Sequence, residues 1–181
     1  MQINLNQNKN LKLFKIISEI ASENQQTVYI VGGYVRDLLM SRKAPTDIDF
    51  VTEQNGIELA QKIAEKINPK LKVSVFKTYG TAMFKYNDLE LEFVGARKES
   101  YSEDSRKPAV ETGTLEDDQK RRDFTINAMA ISLNKENFGE LMVLSPRAAM
   151  PPAPPEAKSR AGDGGSDKGS RIKKRRVAKA N

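Results

Sequence analysis

The sequence predicts an α/β (α+β) fold in which a mixed sheet carries helices on one face. Apolar residues recur at helical spacing in separate segments, and short apolar or alternating runs lie between them. The length of 181 residues suits one domain of ordinary size with an appendage. The chain contains no cysteine and no histidine, so any catalysis must depend on carboxylates, arginine and metal rather than on a thiolate or an imidazole.

The first part of the chain alternates between helices and strands. Leu13, Ile17 and Ile20 belong to a helical stripe, and the apolar run 28–31 is typical of a buried strand. The predicted elements are helices over 9–24, 33–40 and 56–67 and strands over 28–31, 47–52, 71–76, 81–86 and 89–94.

The remainder of this region is less regular. A turn at Asn87-Asp88 joins the last two predicted strands. Residues 98–120 are polar and charged, which predicts a long loop that is less ordered than the sheet. Residues 124–133 are apolar again and are predicted to return to the sheet.

A glycine pair and an aspartate pair form the most informative motif. Gly32-Gly33 is predicted to be a strand-to-helix turn, where an anion can approach the backbone and the helix start presents unpaired N–H groups. Asp47 and Asp49 project from one face of a strand, and adjacent carboxylates favour a hard divalent cation, typically magnesium. The short spacing between the glycine pair and the aspartate pair predicts that a bound phosphate would lie next to a magnesium ion. Taken alone, such aspartates are more often a solvated turn or a helix cap.

Two longer motifs carry a family resemblance. Residues 31–37 read Val-Gly-Gly-Tyr-Val-Arg-Asp and, with Asp47-Ile48-Asp49, resemble the head-domain signature of the class II CCA-adding tRNA nucleotidyltransferase and bacterial poly(A) polymerase family. Residues 121–130 read Arg-Arg-Asp-Phe-Thr-Ile-Asn-Ala-Met-Ala and resemble that family's second signature. The two occur in the family's order, and the resemblance covers roughly residues 10–141.

The resemblance implies a polymerase-beta-like nucleotidyltransferase fold and a two-metal mechanism with Mg²⁺. Asp47 and Asp49 would be catalytic metal ligands, joined by a third carboxylate from a neighbouring strand. Asp88, Glu90 and Glu92 share one parity, so alternation alone cannot choose among them. Glu92 resembles the family's position and is the predicted third catalytic and metal-binding residue; a solvated strand face is the alternative.

The resemblance also implies a set of nucleotide-binding residues. Arg36 lies one helical turn past the glycines, where a guanidinium would reach a phosphate; a surface arginine paired with an acid is the alternative. Arginine offers fixed donors to phosphate, while aspartate and asparagine can bond ribose hydroxyls. The predicted nucleotide-binding residues are Gly32, Gly33, Arg36, Arg122, Asp123 and Asn127. Asp37 is expected to be structural, as a cap or as the partner of a basic neighbour.

Charge and composition change towards the end of the chain. The net charge is +6, but residues 1–146 carry 20 basic against 21 acidic residues, whereas residues 147–181 carry 10 against 3. Beyond residue 141 the family pattern stops and the chain becomes rich in Ala, Pro, Gly, Arg and Lys. We therefore predict a nucleotidyltransferase head over 1–141 and a disordered basic tail over 142–181, of foreign or frameshifted origin.

The function that the resemblance implies is magnesium-dependent transfer of nucleotides from CTP and ATP to the 3′ end of tRNA, the addition of CCA. The chain would be a truncated head without the base-selecting neck and the tRNA-binding domains. Poly(A) polymerase is one alternative, and a non-catalytic RNA-binding fragment that uses the basic run 171–176 is another. No apolar run approaches the roughly 20 residues of a membrane span, so a cytoplasmic protein without a membrane partner is expected.

Overall fold

The computed structural model of the chain describes residues 1–100, 109–120 and 128–143. Its helices are α1 (Leu11–Glu23), α2 (Gly33–Leu39), α3 (Gly56–Ile67) and α4 (Leu115–Lys120). Its strands are β1 (Tyr29–Val31), β2 (Asp47–Thr52), β3 (Ser74–Phe76), β4 (Thr81–Tyr86), β5 (Leu89–Gly95), β6 (Arg97–Ser100), β7 (Ala109–Thr112), β8 (Ala130–Ser132) and β9 (Leu141–Met142). Short 3-10 helices occupy Leu5–Gln7, Lys77–Tyr79 and Lys135–Asn137.

Seven strands form one mixed sheet in the order β3-β4-β5-β2-β1-β8-β9. The pair β2–β5 is parallel, and the other pairs in this sheet are antiparallel. The predicted mixed sheet is therefore confirmed. The bounds of β2, α3 and β4 are those predicted, and β8 lies in the segment expected to return to the sheet. Each helix in the described ranges is too short or too polar to cross a membrane.

The main hydrophobic core lies between the sheet and the helices α1, α2 and α3. Phe50 of β2 and Phe93 of β5 stack with ring centroids 4.6 Å apart, and Phe14 of α1 meets Phe50 edge-on at 6.5 Å. Fully buried side chains of this core include Phe14, Ile17, Tyr34, Ile48, Phe50, Leu59, Ile63, Leu91 and Phe93. Because residues alternate along a strand, the side chains between these project from the opposite face of the sheet.

That opposite face combines an apolar area with a polar one. A second buried cluster consists of Tyr29, Val31, Val51, Ala96, Leu115 and Ala130. Asp47 and Asp49 precede Val51 at intervals of two on β2, so they share its face of the sheet. The carboxylates are therefore on the face away from α1 and α3, beside a patch that α4 partly covers through Leu115.

The loop expected over residues 98–120 is wrong for the part that the structure describes. Strands β6 and β7 form a two-stranded antiparallel sheet, and α4 follows them. A ribbon of mostly polar residues satisfies its backbone groups through ladder hydrogen bonds, and its sequence has no regular apolar alternation that would predict strands. Residues 101–108, which belong to the same expected loop, lie outside the described ranges, as do residues 144–181 of the tail predicted over 142–181. Met142, the first residue of that predicted tail, instead belongs to β9 and pairs with Ala130 of β8.

Candidate active site

The glycine turn between β1 and α2 lies directly against one of the predicted metal ligands. Gly32 has φ 74° and ψ −141°, a backbone conformation that side-chain-bearing residues rarely adopt. A Cβ atom built on Gly32 would lie 3.0 Å from Oδ2 of Asp49. The absence of a side chain thus lets the start of α2 approach the carboxylate, and the two predicted motifs are neighbours in space.

Tyr34 holds the start of α2 in place. Its ring is buried and meets Phe14 edge-on, with centroids 5.8 Å apart. Its hydroxyl donates to Oδ1 of Asn8 and accepts from Nδ2 of Asn10, both at 3.1 Å. Because a buried hydroxyl with both bonds satisfied has few alternative positions, these contacts fix the turn relative to the sheet.

The parallel register of β2 and β5 brings the carboxylates to one area of the sheet. Asp47 pairs with Glu90, and Asp49 pairs with Glu92. Asp47 is exposed, whereas Asp49 and Glu92 are half-buried. Three of the four side chains are therefore the predicted metal ligands, and they lie on adjacent strands of a single face.

The surroundings of Glu92 show that negative charge is concentrated here. Burial raises the pKa of Glu92, and the neighbouring charge of Asp49 raises it further, while Arg97 acts in the opposite direction. A divalent cation would relieve this repulsion between carboxylates, and carboxylate oxygens are the ligands that Mg²⁺ prefers. The donor set therefore fits a hard cation in its chemistry. Among the described residues, however, no group of three acids is already drawn together closely enough to hold one.

The structure separates the three acids that strand alternation left equivalent. Asp88 precedes β5 and is exposed in the turn after β4. Glu90 pairs with Nζ of Lys85 at 2.9 Å, and this pairing raises the pKa of Lys85. Glu92 alone of the three is the register partner of Asp49. Its position, rather than its parity, distinguishes it as the candidate third ligand.

Arg36 and Asp37 form a bidentate ion pair in α2. Nε and Nη2 of Arg36 donate to the two oxygens of Asp37 at 2.9 and 3.0 Å, and these bonds hold the pKa of Asp37 below its usual range. Arg42 approaches the same carboxylate at 3.9 Å. The structural role expected for Asp37 is confirmed. For Arg36 the observed arrangement is the acid-paired alternative, and a phosphate contact stays a prediction.

Three predicted nucleotide-binding residues, Arg122, Asp123 and Asn127, lie outside the described residues. The segment that precedes them is ordered by α4. Oδ2 of Asp117 accepts from the backbone N–H of Thr114 at 3.0 Å, as in a capping box, and Nε2 of Gln119 donates to the carbonyl of Ala128 at 2.6 Å. The hydrogen bond from Gln119 to Ala128 therefore joins the two described segments that flank residues 121–127.

Sequence reasoning did not find the cavity beside Glu92. This cavity has a volume of about 340 Å³, and Phe76, Tyr79, Met83 and Arg97 are among its lining residues. The sequence signal that could have pointed to the cavity is Tyr79, which immediately precedes Gly80. Gly80 has φ 59° and ends a 3-10 turn. Such a turn can present its aromatic side chain to solvent, but only the tertiary structure shows that it faces an acid.

Comparisons with known proteins show which family the chain resembles. Residues 28–142 match the family model described as the poly A polymerase head domain. An A-adding tRNA nucleotidyltransferase of Aquifex aeolicus is 48% identical over 114 residues, which is 63% of this chain and 14% of that protein. An A-adding tRNA nucleotidyltransferase of Halalkalibacterium halodurans is 36% identical over 137 residues, 75% of this chain and 31% of that protein. Other curated relatives are CCA-adding enzymes, including one of Bacillus pumilus.

A solved structure shows the same fold. The crystal structure of a tRNA nucleotidyltransferase complexed with a primer tRNA and an incoming ATP analog is similar with a TM-score of 0.61 and 43% sequence identity, over 70% of this chain and 34% of that one. This chain therefore spans about a third or less of the length of the relatives described here.

Proposed function

The chain belongs to the family of class II CCA-adding tRNA nucleotidyltransferases and poly(A) polymerases, whose head domain it contains, and we propose that it transfers nucleotides from CTP and ATP to the 3′ end of tRNA. The family generally uses divalent metal ions. Magnesium is the proposed cofactor, and Asp47, Asp49 and Glu92 are its proposed ligands. The cytoplasm, where tRNA is processed, is the proposed location.

One observation carries this proposal: Asp49 lies between the glycine turn and Glu92. Gly32 approaches Asp49 from β1, and Glu92 is its partner on β5. A nucleotide whose phosphates lie over the turn would therefore present its α-phosphorus to the carboxylates. Bound Mg²⁺ ions would supply charge neutralisation for the triphosphate and a lowered pKa for the attacking hydroxyl.

The chain's own residues would position the reactants. The backbone at Gly32 and Gly33 would contact phosphate oxygens, since no side chain blocks their approach. Arg36 would add donors to these contacts if its pairing with Asp37 is shared with the phosphate. Arg122, Asp123 and Asn127 are proposed to bind the nucleotide's phosphates and ribose. The main contribution of the protein is alignment, because phosphoryl transfer is catalysed chiefly by positioning and by electrostatic stabilisation.

A narrower second function is the addition of A residues alone. Two of the relatives described above are A-adding enzymes, at 48% and 36% identity. Under this alternative the same carboxylates act on ATP only. The distinction is one of substrate choice rather than chemistry.

The deciding experiment incubates the purified chain with magnesium and labelled CTP or ATP in separate reactions, using one tRNA that lacks its CCA end and one that lacks only the terminal A. The proposal expects incorporation that disappears in Asp47→Ala and Asp49→Ala. The matched control is Asp88→Ala, which removes an exposed carboxylate from the adjacent turn and should retain activity. Incorporation of ATP alone would favour the narrower function. Incorporation that survives in Asp49→Ala would overturn the proposed site.

A further inference from the structure

The cavity beside Glu92 has the composition of a site for a flat aromatic ligand. Its volume is about 340 Å³, within the range of small-molecule sites. Phe76 is 46% exposed and Tyr79 is 63% exposed. In the part of the chain that the structure describes, these two are the aromatic members of the small group of large exposed hydrophobic residues, and both line this cavity. Two exposed aromatic rings in one cavity are suited to a ligand that stacks on them.

The rest of the lining is arranged to hold such a ligand on the sheet. Met83 and Val94 contribute apolar surface to the cavity. Arg97 donates to Oγ1 of Thr81 at 3.4 Å, and that hydroxyl lies 3.3 Å from the carbonyl of Tyr79, to which it donates. The hydrogen bonds connect the guanidinium to the aromatic turn. An arginine in this position offers both a planar stacking surface and donors to phosphate or base edges.

The position of the cavity in the sheet indicates which ligand it takes. Four neighbouring strands carry these groups across one face of the sheet. The glycine turn follows β1, Asp49 lies on β2, and Glu92 lies on β5. Met83 on β4 comes next, since it is the register partner of Glu92. With strands about 5 Å apart, β4 and β3 lie about 10 and 15 Å from β2, on the side away from the glycines. The cavity and the glycine turn are therefore on opposite sides of the carboxylates.

This order matters because attacking and leaving oxygens are roughly in line in phosphoryl transfer. The inference rests here on the proposed function, which puts the triphosphate over the glycines. Its leaving pyrophosphate then departs on the β1 side, so the attacking 3′-hydroxyl must approach from the side of β5, β4 and β3. The nucleotide that carries this hydroxyl is the last residue of the RNA.

We propose that the cavity lined by Phe76, Tyr79, Met83 and Arg97 binds the 3′-terminal base of the RNA substrate by stacking, and so brings its terminal hydroxyl to the carboxylates. Aromatic stacking tolerates every base, since each has a π-face. The site therefore accepts each new 3′ end of the RNA after a nucleotide has been added. The RNA 3′ end, rather than the incoming nucleotide, is its ligand.

The test uses the whole chain and an RNA oligonucleotide that carries 2-aminopurine at its 3′ terminus, whose fluorescence is quenched when the base stacks. The chain contains no tryptophan, so its own fluorescence interferes little. Titration should quench the terminal probe more strongly than the same base placed at an internal position. Tyr79→Leu should weaken the terminal binding by about 5- to 100-fold, the ratio that corresponds to the loss of one base–aromatic stack.

Matched variants separate stacking from loss of structure. Tyr79→Phe keeps the ring and should bind as the native chain does. Met40→Ala removes an exposed apolar side chain that lies outside the cavity, and it should also leave quenching unchanged. Phe76→Leu provides a second variant if Tyr79→Leu does not fold. Equal quenching of terminal and internal probes, or unchanged binding by both leucine variants, would overturn the proposal.

A further arm distinguishes this inference from the proposed function. If 2-aminopurine riboside triphosphate is quenched through Tyr79 and the RNA is not, the cavity binds the incoming nucleotide and the inference is wrong. A native chain that binds the terminal base through Tyr79 but transfers no nucleotide supports the inference and contradicts the function. A Tyr79→Leu chain that transfers nucleotides with an unchanged KM for RNA supports the proposed function and contradicts the inference.

Discussion

Asp49 and Glu92 are register partners on the parallel strands β2 and β5, and the charge of Asp49 reinforces the effect of burial in raising the pKa of Glu92. Two acids held in this way destabilise the fold whenever both are ionised. A site that costs stability in the free protein is typical of function, because catalytic and metal-binding groups are placed for their ligands rather than for the fold. The pair can therefore be tested by stability as well as by activity.

The pH dependence of stability should reveal Glu92 directly. Its folded-state pKa lies above the ordinary value of 4.5, so the folded chain binds more protons than the unfolded chain between those two values. The free energy of unfolding should then fall as the pH rises through this window. Glu92→Gln should remove that fall and be more stable than the native chain at neutral pH. Urea denaturation at a series of pH values measures both effects.

The matched control for this prediction is Glu90→Gln. Glu90 lies on the same strand face but is ion-paired with Lys85 at 2.9 Å and partly exposed. Its removal deletes an attraction of the weak surface kind and should leave stability unchanged or slightly lower. Equal stabilisation by both substitutions would indicate a general charge effect, not a repulsion between Asp49 and Glu92.

Magnesium should stabilise the native chain more than the variants that lack one of the proposed ligands. A ligand that binds only the folded state stabilises it by mass action, and a cation between carboxylates also removes their repulsion. We expect Mg²⁺ to raise the Tm of the native chain and to have a much smaller effect on Asp49→Asn and Glu92→Gln. Thermal unfolding with and without Mg²⁺, at constant ionic strength, is the measurement. The same rise in all three chains would contradict the proposed metal ligands.

Gly32→Ala should disrupt the turn that approaches Asp49. A side chain there is strained at φ 74°, and its Cβ would lie 3.0 Å from Oδ2 of Asp49. We expect a loss of about 1–3 kcal/mol in the free energy of unfolding from the backbone conformation alone, with a loss of nucleotidyl transfer in addition. Urea denaturation and the incorporation assay measure the two effects.

Two other glycines separate the causes. Gly80→Ala has the backbone strain without the contact, since φ is 59° and nothing lies within 4 Å of its Cβ position. It should cost about 1–2 kcal/mol and leave nucleotide binding intact. Gly33→Ala has neither, because its Cβ would meet Arg36 at an ordinary 3.7 Å. If Gly33→Ala lowered the free energy of unfolding as much as Gly32→Ala does, neither the positive φ of Gly32 nor crowding at Asp49 would be the reason for that loss of stability.

The predicted parts of the fold are those whose periodicity is determined by burial on one side. In β2, carboxylates alternate with Ile48 and Phe50. Because Ile48 and Phe50 are buried in the core, the carboxylates must project from the other face of the sheet. The choice of Glu92 could not be made in the same way, because Asp88, Glu90 and Glu92 have equal parity. It depends on the parallel register with β2, which is a contact between segments about forty residues apart in the chain.

The unpredicted features are those that depend on backbone pairing or on exposure. The ribbon of β6 and β7 is held by ladder hydrogen bonds between mostly polar strands, so its sequence resembles a loop. The cavity beside Glu92 depends on Phe76 and Tyr79 remaining exposed, whereas an aromatic residue next to a strand is ordinarily assigned to the core. Thr114 and Asp117 have the spacing of a capping box at the start of α4, but the sequence-based prediction assigned this segment to the loop and did not use that signal.

The ion pair in α2 predicts an acid-dependent loss of stability. Hydrogen bonds from Arg36 lower the pKa of Asp37 below 3.8, so the pair stabilises the fold above that pH. The contribution should disappear as the pH falls through the lowered pKa, because the unfolded chain then binds more protons. Asp37→Asn should therefore be less stable than the native chain at neutral pH and should approach it in strong acid. Paired urea titrations at the two pH values measure the difference.

Neighbouring arginines provide the control for this pair. Arg36 makes two bonds to Asp37, at 2.9 and 3.0 Å, whereas Arg42 is more exposed and lies 3.9 Å away. Arg36→Gln should reproduce most of the effect of Asp37→Asn, and Arg42→Gln should have little. Equal effects from both arginines would show that Asp37 responds to the general positive field rather than to its bonded partner.

The cap of α3 links the stability of a helix to the position of Glu92. Oδ1 of Asn55 accepts from the backbone N–H groups of Ile57 and Glu58, both at 3.1 Å. The next residue, Gly56, approaches β5 so closely that a Cβ there would lie 2.7 Å from the carbonyl carbon of Val94. The first turn of α3 therefore rests on the strand that carries Glu92, two residues before Val94.

Asn55→Ala should lower the free energy of unfolding by about 0.5–2 kcal/mol because two N–H groups lose their acceptor. Asn55→Asp keeps the acceptor and adds a negative charge at a helix start, so it should be neutral or stabilising. Urea denaturation compares the three chains, and amide exchange at Val94 and Gly95 reports whether β5 loosens. Faster exchange there in Asn55→Ala but not in Asn55→Asp would show that the cap of α3 supports the strand of the active site. Unchanged exchange in both variants would limit the role of Asn55 to its own helix.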